Sequence, residues 1–190
     1  MASSHKQKLL LHCCCAPCAT FPFQSLNENY EITCFFYNPN IYPEEEYRLR
    51  CAEIEKLGKE WNVPVIIGSY ESQQWYKTIK GHEADEEGGA RCALCYQMRF
   101  EVTAREAVSR GFSVIASTLS ISPHKKADVI NRIGKTIAEK EGLIFLEADF
   151  KKKDGFKISC EMSRDLGFYR QNYCGCEFSY RDSLKREKKS

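Results

Sequence analysis

No apolar run among the 190 residues approaches the roughly 20 that a membrane-spanning helix needs, so no membrane partner is expected. The opening "MASSHKQK" is polar and lacks the apolar stretch of a secretory signal. Neither G-x-x-x-x-G-K-S/T nor G-x-G-x-x-G occurs, which removes the familiar phosphate-binding loops. No Ser-His-Asp arrangement, internal repeat or low-complexity linker is present. These absences leave a cytoplasmic single domain spanning 1–190, long enough to bury a core. Residues 1–8 are expected outside the fold, as a disordered or added leader, and 183–190 as a basic tail.

The net charge of +2 is uninformative, but its distribution is not. Residues 150–190 carry eleven Lys/Arg and six Asp/Glu, a balance of +5 that leaves −3 for the rest. Either this is a solvated surface with a frayed tail, or it is a footprint for nucleic-acid phosphates.

Against these absences stand eleven cysteines. In a reducing compartment clustered cysteines point to metal or redox chemistry rather than disulfides. Three groups stand out. "HCCCAPC" holds Cys13, Cys14, Cys15 and Cys18. "RCALC" holds Cys92 and Cys95, an i, i+3 pair on one face at a helix start, where the thiolate is favoured. "YCGC" holds Cys174 and Cys176 around Gly175, whose freedom lets the turn bring both sulfurs inward. Thiolates select zinc, copper(I) or iron–sulfur centres. A structural zinc takes four ligands and an iron–sulfur cluster typically four cysteines, so the surplus suggests a cluster plus something else. Cys34, Cys51 and Cys160 read as small buried hydrophobes; Cys13 is open between core and site.

Short apolar runs rich in Val, Ile and Phe read as strands covered on both faces: "KLLLHCC", "EITCFFYN", "VPVIIGSY", "GFSVIASTL" and "GLIFLEADF". Helical patterns fall between them, at 21–29, 43–62, 91–110 and 122–141. The last has Ser122 as N-cap, Pro123 in the first turn and Gly142 after its end. The order predicts an α/β fold: a five-stranded, mainly parallel sheet with helices on both faces. Residues 151–182 find no place in it and are expected to wrap over its carboxyl edge. Ligands in such sheets bind beyond the carboxyl ends of the strands, where the first cysteine group lies. Asp149, ending the fifth strand, faces the same edge, either as a cap or salt-bridge partner or as a hard oxygen ligand to iron. Tyr37, Asn38 and Asn40 end the second strand; hydroxyls, His124, Lys125 and Lys126 follow the fourth. These are turn chemistry or the rim of a ligand pocket. His12 reads as a hydrogen-bonded rim residue.

In order, "LLLHCCCAPC", "FYNPNIYPEEEYRLR", "RCALCYQMR", "STLSISPHKK", "DFKKKDGF" and "YRQNYCGC" resemble the QueH-type epoxyqueuosine reductases from about residue 9 to 180. The resemblance implies a Rossmann-like, nucleotide-hydrolase-like sheet. The implied activity is the cobalamin-independent reductive removal of the epoxide oxygen of epoxyqueuosine at the anticodon wobble base of tRNA. It implies a 4Fe-4S cluster and an additional mononuclear iron, held by Cys14, Cys15, Cys92, Cys95, Cys174, Cys176 and Asp149, with Asp149 catalytic as a ligand that keeps the iron oxygen-seeking. Tyr37, Asn38, Asn40 and Lys125 become substrate-binding candidates, and His12, Tyr37 and Lys125 candidate proton donors. Tyr169, Tyr173 and Phe178 become candidate base-stacking rings. An external electron donor is required. Two rivals predict different observables: a zinc-stabilised RNA-binding module would be colourless, and an ATP-dependent tRNA-modifying enzyme would need a phosphate loop where the cysteines stand.

Overall fold

The computed structural model describes residues 6–187. Five strands, β1 (Gln7–His12), β2 (Tyr30–Phe36), β3 (Val65–Ile67), β4 (Val114–Ser117) and β5 (Ile144–Phe145), form one sheet in the order β3-β2-β1-β4-β5. Every pairing is parallel, with Leu11 opposite both Cys34 and Ala116. β1 is central, and the chain runs outward through β2 and β3 before returning to β4 on the other side. The switch point therefore lies between the carboxyl ends of β1 and β4, where such sheets bind ligands.

Strand parity sorts the core. Leu9, Leu11, Cys13, Cys34 and Phe36 point to one face, under α1 (Ala16–Leu26), α2 (Glu44–Trp61) and α6 (Gly155–Asp165). Leu10, Phe35, Tyr37 and Ile115 point to the other, under α3 (Ser72–Thr78), α4 (Ala90–Ser109) and α5 (Ala127–Lys140). Successive strand residues alternate sides, so Cys13 is committed to the first core. It is fully buried, donates to the Leu11 carbonyl at 3.3 Å and lies beside Cys34. Its thiol is a packing group, and Cys34 shares that role.

Several boundaries differ from expectation. Gln7 and Lys8 belong to β1 rather than preceding the fold; residues 1–5 lie outside the described residues. α1 begins at Ala16, not residue 21, because Pro17 is tolerated in a first helical turn. α5 begins at Ala127, not near Ser122. Thr118–Ile121 form a 3-10 turn, and the Ser122 hydroxyl accepts the His124 N–H in a local turn, so it does not cap the helix. The segment after β5 contains α6, packed on α1 through the Ser159 hydroxyl on the Pro17 carbonyl at 2.6 Å. It also contains α7 (Glu177–Glu187), in which Ser183 is buried, so the expected tail is helical as far as it is described; residues 188–190 lie outside the described residues. Between α6 and α7 the chain returns to the carboxyl edge, where the Tyr42 N–H donates to the Gly175 carbonyl at 2.8 Å. Among the described residues no helix is long and apolar enough to cross a membrane.

Candidate metal centre

Beyond His12 the chain leaves β1 and turns into α1 with Cys15 as its extended N-cap. That turn gathers Cys14, Cys15 and Cys18: their sulfur atoms all lie within 4.8 Å of one another. Cys14 and Cys15 sulfurs are 3.8 Å apart, and the Cys14 sulfur is 3.7 Å from the Thr118 hydroxyl beyond β4, so the triad sits on the switch point. Cys18, not assigned a ligand role from the sequence, is a full member of this group.

Cys92 and Cys95 occupy the first turns of α4, and the Gly88 N–H donates to the Cys92 sulfur at 3.2 Å. The helix start was expected to favour the thiolate. Burial outweighs it and pushes the Cys92 thiol up to about 11, with Cys174, Cys95 and Cys176 adding to the effect against the Gly88 N–H. Burial likewise raises Cys95 and Cys176, each within the field of Cys174. Four thiols from two segments thus share one low-dielectric neighbourhood, where a metal would replace the protons. Gly175 carries φ +141°, and a Cβ there would meet the Arg50 guanidinium at 3.1 Å, so glycine is required for the turn between Cys174 and Cys176.

Cations lie beneath the sulfurs. Arg50, Arg91 and Arg99 are all at least 97% buried. Arg50 Nε donates to Glu46 at 2.7 Å, its Nη1 to the Cys174 carbonyl at 3.0 Å and its Nη2 towards the Tyr173 carbonyl at 3.5 Å. Arg99 donates to Asn38 Oδ1 at 2.5 Å and to His12 Nε2 at 3.3 Å, and among the described residues no carboxylate pairs with it. A buried charge needs a counter-charge; Arg99 lies in the field of Cys14 and Cys95. Within the triad, hydrogen bonds from Cys15 and Cys18, helped by Lys125 and Arg99, hold Cys14 well below the usual thiol range against the cost of burial. Cys15 is pushed up to about 12, chiefly by its bond to Cys14. Gln171 donates its amide N–H to the Cys15 sulfur at 3.1 Å. The sequence did carry a signal for the arginines: Arg50 and Arg99 fall on the helix faces that Tyr47, Ile54, Leu57, Cys95 and Thr103 mark as buried.

A cleft of about 170 Å³ opens beside the sulfurs, its walls including Cys14, Cys18, Lys125, Gln171 and Cys174. Cys160 lines it too, although its sequence context read as core. Lys125 is half-buried; burial opposes its charge, but Cys174, Tyr96, Cys14 and Cys18 outweigh that and raise it. The other rim candidates are placed elsewhere. Asn38 donates to the Cys13 carbonyl at 2.9 Å and accepts from Arg99, so both its polar ends serve the framework. Tyr37 gives its hydroxyl to Glu71 at 2.8 Å and faces a separate cavity between α3 and α4. Asn40 is buried against the Gly175 turn, with its Oδ1 unpartnered. Asp149 pairs with Lys151 at 2.9 Å, which holds its carboxyl below the usual range despite desolvation, and it is not among the groups converging with Cys14, Cys15 and Cys18. Lys151 in turn donates to the Ser120 and Lys125 carbonyls. His12 is fully buried, and burial, helped by Arg99, lowers it to about 3, so its ring is neutral and is not a proton donor to the cleft.

The profile of the family described as Epoxyqueuosine reductase QueH matches residues 9–182. The chain belongs to the QueH family. Epoxyqueuosine reductase QueH of Haemophilus influenzae is 42% identical over 180 residues, covering 94% of this chain and 74% of that one. The Thermotoga maritima QueH is 39% identical over 184 residues, covering 95% and 93%. These relatives are oxidoreductases of tRNA modification. Among solved structures, the U34-tRNA thiolase NcsA of Methanococcus maripaludis, with its 4Fe-4S cluster, superposes with a TM-score of 0.59 at 14% identity, covering 97% of this chain and 68% of that one. A predicted tRNA methyltransferase subunit from Methanocaldococcus jannaschii gives 0.54 at 11%, covering 86% and 93%. At such identities these likenesses establish the shared α/β fold.

Proposed function

We propose that this chain removes the epoxide oxygen of epoxyqueuosine in cytoplasmic tRNA, using a 4Fe-4S cluster and a separate iron. The observation that carries the reading is the gathering of Cys14, Cys15 and Cys18 at the switch point, with a second buried group, Cys92, Cys95, Cys174 and Cys176, whose Cys174 lines the same cleft as Cys14 and Cys18. Seven thiols over buried guanidiniums exceed what one zinc needs and suit an anionic iron–sulfur centre. Asp149 is the proposed oxygen ligand, and must exchange its Lys151 partner to serve.

Deoxygenation turns the oxirane into a carbon–carbon double bond and water, consuming two electrons, supplied by an external donor, and two protons. When bound, the metal centre supplies electrons singly and a Lewis acid for the oxygen. The chain's own part is positional. Lys125, in the cleft wall between Cys14 and Cys174, presents an ammonium N–H to the departing oxygen. Asn38, Arg99 and His12 hold the β1 and β2 ends rigid beneath it. Asn40 steadies the Cys174–Cys176 turn rather than meeting substrate.

The test is iron, sulfide and zinc content with a visible spectrum on protein purified without oxygen, followed by turnover of epoxyqueuosine-containing tRNA read by mass spectrometry. Brown protein with more iron than sulfide, and loss of the epoxide oxygen under a low-potential reductant, is the expected result. Colourless protein with stoichiometric zinc refutes the redox reading.

A further inference from the structure

The three aromatic rings nearest the third cysteine group are all occupied. Phe178 lies between two guanidiniums, Arg91 at 4.4 Å and Arg181 at 5.7 Å. Tyr173 is covered by Arg50 at 5.2 Å and gives its hydroxyl to the Tyr42 carbonyl. Tyr169 donates to Glu46 at 2.9 Å and belongs to a different groove. Tyr173 lines the cleft, with Arg50 over its ring and the Tyr180 ring at 5.2 Å, whereas Phe178 and Tyr169 do not line it.

A fourth ring lines the cleft as well. Phe156 and Arg170 both line the cleft with Cys14, Cys18 and Cys174, and the Arg170 guanidinium lies 5.1 Å from the Phe156 ring centre. The pair is anchored from below. A Cβ on Gly155 would lie 2.0 Å from the Phe150 carbonyl and 2.5 Å from the Phe21 ring, so the first turn of α6 is pressed onto the core and Phe156 is fixed at the rim. Arg170 is exposed, and among the described residues no carboxylate lies within ion-pair distance of it. Lys152, Lys153 and Lys157, all exposed, flank Phe156 in the chain. A guanidinium plane already oriented by a ring is flat, weakly hydrated and permanently charged. RNA-loop bases are recognised by stacking on such planes, with lysines on the adjoining phosphates.

We infer that the Phe156–Arg170 stack is a base platform, which receives the nucleobase next to the modified nucleotide while the reacting ring enters the cleft. The inference rests on the tRNA reading above. The experiment uses metal-loaded protein purified without oxygen and an anticodon stem-loop RNA, either intact or with a single abasic nucleotide on one side or the other of the wobble position. Binding is followed by fluorescence anisotropy over a range of salt. Arg170→Lys keeps the charge and loses the plane; Phe156→Leu keeps apolar bulk and loses the ring. Each is expected to weaken the intact RNA about tenfold, with the salt slope unchanged and iron and sulfide contents at the wild-type level. One abasic substitution should cost the wild type a similar factor and the variants nothing further. Wild-type affinity in Arg170→Lys, or an abasic penalty undiminished in both variants, overturns the platform. If wild-type protein shows the abasic effect yet never deoxygenates epoxyqueuosine-tRNA, the platform stands and the reductase reading falls.

Discussion

Replacing Arg50 separates two things that one buried side chain does at once. Arg50 joins Glu46 on its own helix to the Tyr173 and Cys174 carbonyls, more than 120 positions away in the chain. Arg50→Met strips those bonds and leaves Glu46, itself 8% exposed, with the Tyr169 hydroxyl as its remaining partner. Breaking a buried ion pair from one side costs about 3–5 kcal/mol, which for a chain of this length lowers the melting temperature by about 6–20 °C. The double variant Arg50→Met/Glu46→Gln removes the stranded carboxylate and should recover most of that loss, because an uncharged pair no longer carries the desolvation penalty. It does not restore the donors that seat the Cys174 carbonyl. Arg50→Lys fails similarly, since one ammonium on a flexible stem does not bridge three acceptors on two segments. The assay is a thermal melt of reduced, metal-free protein beside iron and sulfide content after anaerobic reconstitution. Stability should return in the double variant while metal content stays depressed. Full metal loading in the double variant would refute the claim that Arg50 positions Cys174, and an unchanged melt in Arg50→Met would refute the buried-pair argument.

Gln171→Leu removes the N–H that reaches the Cys15 sulfur; iron retention against a chelator should weaken about 10–100-fold, with the melting temperature unchanged. Asp149→Asn frees Lys151 and should lower iron content while leaving sulfide as in the wild type; unchanged iron and unchanged turnover would remove Asp149 from the ligand set. His12 binds its proton only near pH 3 when folded but near 6.5 when unfolded. Between those values the unfolded chain holds more protons, so stability falls as pH drops through this window, by up to about 1.4 kcal/mol per pH unit. Urea unfolding of metal-free protein at several pH values should show that slope, and His12→Gln should flatten it.

The sheet was legible because the central strands are apolar on both faces and the long crossover helix α2 carries its own period; the short α3, Ser72–Thr78, was not read from the sequence. "KLLLHCC" and "EITCFFYN" announce two-sided burial directly, and the Pro43–Asn62 segment shows an apolar face under an acidic start. α6 and α7 were not read from the sequence: the residues that "GFKISCEMSRD" buries fully against α1 are small, Gly155, Ser159 and Ser163, while the apolar Ile158 and Met162 beside them are only half-buried. The sulfur groups were visible as residue types, but their convergence was not. Cys13 continues the β1 ladder one residue past His12, its N–H on the Phe35 carbonyl at 2.8 Å, and keeps strand parity into the core, whereas Cys14, in the bend that follows, is turned to the switch point. Cys18 joins Cys14 and Cys15 because α1 starts one residue after Cys15, earlier than its pattern suggested. Cys174 reaches the edge through bonds from Arg50 on α2, and no local pattern encodes a contact across so long a separation. The spacing of donors within a motif is thus set by local backbone geometry, whereas the seat of the Cys174 turn is tied to a buried cation on α2, Arg50, which an apolar helix face carries in the sequence.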